Sequence, residues 1–226
     1  TRWYSLDGGT TNYTFSTNTT FDPAAWGPYA NGTVVTITFY ANDSLENINS
    51  QSINIIIDSQ GPIIDIDLPI DGKTYNSTAP FCNVSFRDGN GVSERWYTID
   101  GGATNFTFST NQTIDPGAWT LHSDGPVDLI FYANDSLGNI ASQQIQITKD
   151  STGPTVNILS PGDSDLLGIT TIPSFTVENL DVSLNTTWYT LDNGNTNITY
   201  TSNGTFAQQW TTLSNGTLTI WFYAND

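Results

Sequence analysis

The chain repeats itself about every 92 residues, and this period limits what it can fold into more than any other feature. The motif Trp-Tyr-Ser/Thr-Leu/Ile-Asp occurs three times, at Trp3–Asp7, Trp96–Asp100 and Trp188–Asp192. The motif Phe-Tyr-Ala-Asn-Asp occurs at Phe39–Asp43, Phe131–Asp135 and Phe222–Asp226. A period of this length is one small domain, not a propeller blade or a helical hairpin. We therefore expect the function to lie in the array of repeats rather than in a catalytic pocket.

The period divides the 226 residues into three repeats, 1–59, 60–151 and 152–226. The middle repeat is predicted to be complete, whereas the first lacks its initial strands and the third lacks its last strand. The sequence is therefore interpreted as an excerpt of a longer protein. The unpaired edges that this leaves would be completed by neighbouring sequence or by a strand that another subunit donates.

Alternation of apolar and polar residues indicates an all-β chain, because no segment keeps the 3.6-residue apolar period of a helix. In the middle repeat, strands are predicted near residues 63–68, 81–86, 95–99, 105–109, 127–134 and 142–149. Alternate residues of the fifth of these strands and its equivalents form the predicted core: Val127, Leu129, Phe131, Ala133; Val35, Ile37, Phe39, Ala41; Leu218, Ile220, Phe222, Ala224. Two such sheets packed face to face predict immunoglobulin-like β-sandwiches in an extended tandem array.

Composition excludes some partners. The net charge is −17, with 5 Lys and Arg against 22 Asp and Glu. Because phosphate backbones and anionic lipid surfaces are bound by clusters of basic residues, binding to nucleic acid or to anionic membranes is not expected. The sequence also shows no membrane span, so no direct membrane insertion of this segment is expected.

The recurring tryptophans of the long connection and the one cysteine are interpreted as structural residues. Trp26, Trp119 and Trp210 recur in a long connection, where each either plugs the end of a sandwich or forms a carbohydrate-stacking platform. We favour the plug, because one aromatic per repeat is too few for a platform. Cys82 has no partner for a disulfide and is expected to be a small buried residue.

Sequons for N-glycosylation are frequent. Thirteen Asn-x-Ser/Thr sites occur, at Asn12, Asn18, Asn31, Asn42, Asn76, Asn83, Asn105, Asn111, Asn134, Asn185, Asn197, Asn203 and Asn215. Asn12, Asn105 and Asn197 are equivalent by the period and are predicted to lie opposite core residues. Outward sequons predict N-linked glycans in an extracytoplasmic setting. The alternative is an Asn/Thr-rich solvated surface that carries no sugar.

Oxygen-bearing side chains are predicted to gather at the junction between the first two repeats. In an immunoglobulin-like sandwich, two loops of one domain face the end of the domain before it. That arrangement brings together Asp58, Asp88, Asn90, Asp135 and Asn139. Ca²⁺ takes six to eight oxygen ligands, so a calcium site is one interpretation. The other is ordinary turn capping. The next junction offers Asp150, Glu178 and Asp181 and is expected to be weaker, because its last loop is interpreted as cut off at Asp226.

Catalytic arrangements are missing from the sequence. It has one histidine, His122, and none of the HExxH, GxSxG, CxxC or phosphate-loop motifs. Spacing alone leaves a carboxylate pair for glycoside hydrolysis open, but Asp7, Asp100 and Asp192 recur with the repeat and are interpreted as structural. We therefore expect no enzymatic activity and no catalytic residues.

The segments WYTIDGGATNFTF and FYANDSLGNIASQQIQITKD, followed by a Gly-Pro start of the next repeat, resemble the tandem immunoglobulin-like repeats of archaeal surface proteins. They are more loosely similar to hyalin-type and bacterial immunoglobulin-like repeats. The resemblance implies display in arrays at the cell surface. In the first copy, Ser44–Asn47 lacks the glycine of the motif, which questions a uniform metal site.

The leading hypothesis is a structural segment of a glycosylated extracellular filament, pilus-like fibre or S-layer. Its expected partners are copies of itself or neighbouring surface proteins. Two alternatives remain, the stalk of a cell-surface adhesin and an accessory region of a secreted glycan-active enzyme.

Overall fold

The computed structural model describes residues 1–181 and 183–226. Cα distances group the chain into two compact units, residues 1–73 with 78–148 and residues 74–77 with 149–226. The repeat boundaries inferred from the sequence stay a prediction. None of the helices in the described residues has the length and apolar character needed to cross a bilayer.

The first repeat forms one antiparallel sheet and a short helix. Its elements are β1 (Arg2–Ser5), β2 (Tyr13–Thr14), α1 (Pro23–Trp26), β3 (Val34–Asn42) and β4 (Ile48–Ile56). The strands follow the order β2-β1-β3-β4. Tyr4, Leu6, Val35 and Ile37 form the buried cluster on the inner face of this sheet.

The middle repeat adds a second sheet over the core. Its elements are β5 (Ile63–Leu68), β6 (Thr74–Tyr75), β7 (Asn83–Arg87), β8 (Val92–Thr98), β9 (Phe106–Thr107), α2 (Pro116–Leu121), β10 (Gly125–Asp135) and β11 (Ile140–Lys149). β5 pairs with β7, and the larger sheet contains β11-β10-β8-β9 in that order. Phe86 of β7 contacts Phe108 across the core, with ring centroids 5.7 Å apart. The repeat is a β-sandwich with an immunoglobulin-like arrangement of two antiparallel sheets.

The third repeat is also a sandwich of two sheets. Its elements are β12 (Thr155–Ser160), β13 (Ser174–Leu180), β14 (Thr186–Thr190), β15 (Ile198–Thr199), β16 (Gly204–Thr205), a 3₁₀ helix (Gln208–Thr212) and β17 (Trp221–Asn225). The sheets have the orders β12-β13-β16 and β15-β14-β17. Phe175 of β13 packs against Tyr189 and Phe222 of the other sheet, with both pairs of ring centroids 5.4 Å apart.

The predicted core is confirmed in the middle repeat, where Val127, Leu129, Phe131 and Ala133 are fully buried. The prediction is wrong for Phe39, which is 37% exposed, and for Ala41, which is also exposed. In the described residues the first repeat has a single sheet. No strand of a second sheet therefore covers the C-terminal half of β3, where Phe39 and Ala41 lie. In the third repeat, Leu218 and Ile220 are half-buried and precede β17, and Phe222 and Ala224 are half-buried on it.

Short helices interrupt the β-pattern and carry the tryptophans of the long connection. Trp119 of α2 is completely buried, and Trp210 is 4% exposed. This burial favours the predicted plug over an exposed carbohydrate platform for both, and Trp26 is half-buried against the first core. The sequence did contain a signal for α2. The Asp115 side chain accepts a hydrogen bond from the Ala118 amide at 2.8 Å, with Pro116 in the first turn.

Candidate functional site

Three of the five predicted junction ligands come together in the structure. Asp58 follows β4, Asp88 follows β7 and Asp135 ends β10. Each offers a carboxylate oxygen, and these three oxygens lie within 4.8 Å of one another. Asp58 and Asp88 are half-buried and Asp135 is 2% exposed. Carboxylates this close repel one another unless a proton or a cation lies between them.

The carboxylate of Asp135 is held by its own loop. Its Oδ1 accepts hydrogen bonds from the Leu137 amide at 2.9 Å and the Asn139 amide at 2.8 Å, and its Oδ2 accepts from the Asn139 side chain at 2.8 Å. Burial acts to raise the pKa of Asp135, but the hydrogen bonds from Asn139 and Leu137 outweigh it and hold that pKa below its usual value. Asp135 therefore carries a negative charge at neutral pH.

The two asparagines approach the cluster through their nitrogens. Asn90 Nδ2 donates to Asp58 Oδ2, and Asn139 Nδ2 lies 3.4 Å from the backbone oxygen of Asp58. As cation ligands both residues would use the amide oxygen instead. Both asparagines would have to turn their amides, and the backbone oxygen of Asp58 is a further possible ligand that sequence reasoning did not name.

An equivalent cluster lies one period later, formed by Asp150, Asp181 and Asp226. The sequence had named Asp150 and Asp181, but Glu178 lies on β13 and is outside the cluster. Asp226 takes its place, and its offset of 91 residues from Asp135 could have identified it. Here the Ser183 hydroxyl contacts Asp150 at 2.8 Å and Asp181 at 3.1 Å.

The spacing within both clusters fits a calcium ion. Oxygen ligands lie about 2.3 to 2.6 Å from Ca²⁺, so two ligands on opposite sides of one ion are separated by up to about 5 Å. Three carboxylate oxygens within 4.8 Å of one another satisfy that limit. The donor set is made of oxygens, which are the ligands that a hard divalent cation prefers.

The recurring aspartate after the Trp-Tyr motif has a structural role in all three copies. Thr98 Oγ1 donates to Asp100 Oδ1 at 2.7 Å and accepts from the Gly102 amide at 2.9 Å. The Thr104 amide donates to the same carboxylate, and this bond, with that from Thr98, lowers the pKa of Asp100 to about 2. Equivalent bonds are made by Ser5 with Asp7 and by Thr190 with Asp192. These carboxylates stabilise a turn.

Ten of the thirteen sequon asparagines are exposed, and Asn42, Asn83 and Asn134 are half-buried. Several of them also support the backbone. Asn111 Oδ1 accepts from the Val84 amide at 3.1 Å, and the equivalent Asn203 accepts from the Val177 amide at 2.7 Å. A sugar on Nδ2 leaves the oxygen available for this bond, so support of the backbone and glycosylation are compatible.

Sequence reasoning missed a stacked aromatic pair on the outer face of each repeat. The pairs are Trp3 with Tyr40, Trp96 with Tyr132, and Trp188 with Tyr223. Their ring centroids lie 5.3, 5.4 and 5.3 Å apart, and the planes are within 7° of parallel. The period, together with the alternation along β1, β8 and β14, contained the signal, because Tyr4, Tyr97 and Tyr189 point inward and their preceding tryptophans therefore point outward.

Cys82 is buried, with 1% exposure, as expected, and burial raises the pKa of its thiol to about 12. A thiol in this state is a poor nucleophile. It packs as an apolar residue next to β7.

No family model matches this chain, and no curated protein matches it. Among solved structures, it is similar to the fibronectin(III)-like modules of Clostridium thermocellum CbhA, at 13% identity and a TM-score of 0.38, over 72% of this chain and 86% of that one. It is also similar to the human Desmocollin-1 ectodomain, at 11% identity and a TM-score of 0.33, over 85% of this chain and 43% of that one. The fold assignment rests on the strand pairing described above.

Proposed function

We propose that this chain is a structural segment of an extracellular, glycosylated surface assembly, such as a filament, a pilus-like fibre or an S-layer. One observation carries the proposal. The polar groups that recur most regularly are used to hold the backbone, as with Thr98 and Asp100 in the turn after β8. A chain that repeats its scaffold in this way serves best as a spacer or a building block, without enzymatic activity of its own.

The junction between the first two repeats supports a stiff connection. Gly61 lies against β11, and a Cβ atom at this position would be 2.5 Å from the carbonyl carbon of Ile140. Any larger residue at position 61 would therefore have to push the two segments apart. Such close backbone packing restricts bending at the junction.

Calcium at the carboxylate clusters is part of the proposal. Ca²⁺ bound by Asp58, Asp88 and Asp135, with oxygens of Asn90 and Asn139 completing the shell, would remove the repulsion among the carboxylates and tie three segments together. Binding of an ion to the folded state alone raises stability by mass action.

The test of the calcium site uses thermal unfolding of the whole chain with excess Ca²⁺ and with chelator. We expect Ca²⁺ to raise the Tm of the wild type and this rise to shrink in Asp135→Asn. Asp43→Asn is the matched control. Asp43 occupies the equivalent position and makes the same bonds to Asn47, but in the described residues it belongs to neither cluster. An identical Tm with Ca²⁺ and with chelator would refute the site.

Partners of such an assembly would be copies of this chain or neighbouring surface proteins. β4 is at the edge of its sheet and exposes Ile48, Ile53 and Ile56 by 64%, 56% and 72%. An exposed apolar edge strand is a natural place for another strand to pair.

Electron microscopy of the native source, with antibodies against this segment, tests the assembly. The proposal predicts labelled polymers or lattices with a regular repeat. Labelled isolated projections would instead indicate an adhesin stalk, and label found only on a secreted soluble protein would indicate an accessory region of an enzyme. Either of these two results would contradict the proposal.

A further inference from the structure

The outer Trp-Tyr stack has the same neighbours in every repeat. In the middle repeat, Trp96 of β8 lies between Tyr132 on β10 and Thr107 on β9, with which it is paired in the strand register. Trp3 is likewise paired with Thr14, and Trp188 with Thr199. Each of these threonines is the third residue of an Asn-x-Thr sequon.

The sequon asparagine directly precedes the paired strand, and alternation along the chain puts it on the tryptophan's face of the sheet, diagonal to that residue. Asn105 comes two residues before Thr107, so its side chain emerges on the side of Trp96, and both Asn105 and Thr107 are exposed. Diagonal cross-strand neighbours are about 7 to 8 Å apart, which an aromatic ring can span. Asn12 and Asn197 have the same relation to Trp3 and Trp188.

One face of the indole is covered by Tyr132, and the other is turned toward β9 and the sequon. Trp96 stacks on Tyr132, its cross-strand partner, with an angle of 5° between the ring planes. The plane of the indole is therefore transverse to the direction from β8 to β10. Because β8 lies between β10 and β9, the second face of Trp96 is turned toward β9 and Asn105. Tyr132 supports the indole from behind and fixes its orientation.

We propose that the first sugar of an N-linked glycan on Asn105 packs the apolar face of its ring on Trp96, and that glycans on Asn12 and Asn197 do the same on Trp3 and Trp188. This inference rests on the glycosylation proposed above. The occupant is the glycan of the same chain, because its attachment point lies beside the ring in all three repeats. A glycan packed on the tryptophan stabilises the sheet in addition to making the surface more soluble.

A double-mutant cycle on the full chain from a glycosylating host tests the contact. We compare the wild type, Asn105→Gln, Trp96→Val and the double variant by urea unfolding. Asn105→Gln should weaken the folding equilibrium constant by roughly two- to tenfold when Trp96 is present, which is the range of a stacking contact, and should change it little in Trp96→Val. Equal losses in the two backgrounds would overturn the proposal.

Asn215→Gln is the matched control, since Asn215 is an exposed sequon in the loop before β17. Its effect should be the same with Trp96 and with Val at position 96. Coupling as strong as that of Asn105 would mean that the cycle reports a general effect of glycan loss, and the proposal would fail.

Three further measurements separate the possible failures. Glycopeptide mass spectrometry shows whether Asn105 carries a sugar; an unmodified Asn105 would remove the glycan and this inference together. If the sugar is present, NMR should show upfield-shifted ring protons of that first sugar, and the shift should disappear in Trp96→Val. If Asn105 is glycosylated but the ring protons of its first sugar have ordinary chemical shifts, the stacking on Trp96 is refuted and the glycosylation is not. Saturable binding of free chitobiose to the glycosylated chain would also contradict it, since the indole would then be open to external sugars.

Discussion

The inner and outer faces of the same sheet use the same residue types for different purposes. Tyr97 and Trp96 are adjacent on β8, yet Tyr97 is 1% exposed in the core while Trp96 is half-buried on the outer face. The Tyr97 hydroxyl accepts a hydrogen bond from the Asp115 amide at 2.7 Å, whereas Trp96 stacks on Tyr132. Whether an aromatic residue packs in the core or stacks on the outer face therefore depends on the face of the strand from which it projects. Its recurrence with the period does not distinguish the two.

The largest contrast is expected between the two tryptophans of the middle repeat. Trp119→Ala should lower the free energy of unfolding by about 3 to 5 kcal/mol, because it empties a fully buried site. Trp96→Ala should cost about 0.5 to 1.5 kcal/mol in the unglycosylated chain, the value of an aromatic pair. Urea unfolding followed by circular dichroism measures both. Similar losses would mean that the outer face contributes to the core.

A smaller effect distinguishes the two tyrosines. Tyr97→Phe leaves the Asp115 amide without its acceptor in a half-buried position and should cost about 1 to 3 kcal/mol. Tyr132→Phe, on the outer face, should stay within about 0.5 kcal/mol of the wild type. The same denaturation experiment measures the pair. A neutral Tyr97→Phe would show that water replaces the hydroxyl.

The turn after β8 should contribute to the pH dependence of the stability of the fold. The pKa of Asp100 is held at about 2, first by the Thr104 amide and then by the Thr98 hydroxyl. A carboxylate with a depressed folded-state pKa contributes stability above its unfolded pKa, near 4, and loses it as the pH falls from there to about 2.

Acid titration of unfolding checks this. Asp100→Asn should reduce the loss of stability between about pH 4 and pH 2. A wild-type slope in Asp100→Asn would show that the turn does not control the acid response.

The smallest expected effect concerns a loop that two repeats form with different residues. Gly138 has φ of 89°, and the equivalent Glu46 adopts φ of 68°, yet both loops keep the bond from the asparagine amide to the aspartate. Because a left-handed backbone strains a residue with a Cβ, Glu46→Gly should stabilise the chain by about 0.5 to 1 kcal/mol. Gly138→Ala, the control, should destabilise it. No gain in Glu46→Gly would mean that the loop relaxes without cost.

The strands and the inner core could be predicted from the sequence because period 2 and the 92-residue repeat reinforce each other. β5 was predicted to the residue, and the buried face of β10 was correct. Phe39 and Ala41 were assigned wrongly because burial depends on a second sheet, which local alternation does not report. The short helix α2 was missed because its 6 residues are too few to show an apolar period.

The candidate site was predicted in part for a similar reason. Loop positions in an immunoglobulin-like sandwich brought Asp58, Asp88 and Asp135 together, as the sequence indicated. The orientation of the Asn90 and Asn139 amides depends on hydrogen bonds that form only once the loops have folded. Side-chain rotation of this kind has no signature in the sequence.

Site-resolved glycopeptide mass spectrometry of the protein purified from its native source tests the central claim, that the inner faces build the scaffold and the outer faces carry sugar. We expect hexose-containing glycans on Asn12, Asn105 and Asn197, the three sequons beside the outer tryptophans. Unmodified asparagines at all three positions would contradict it.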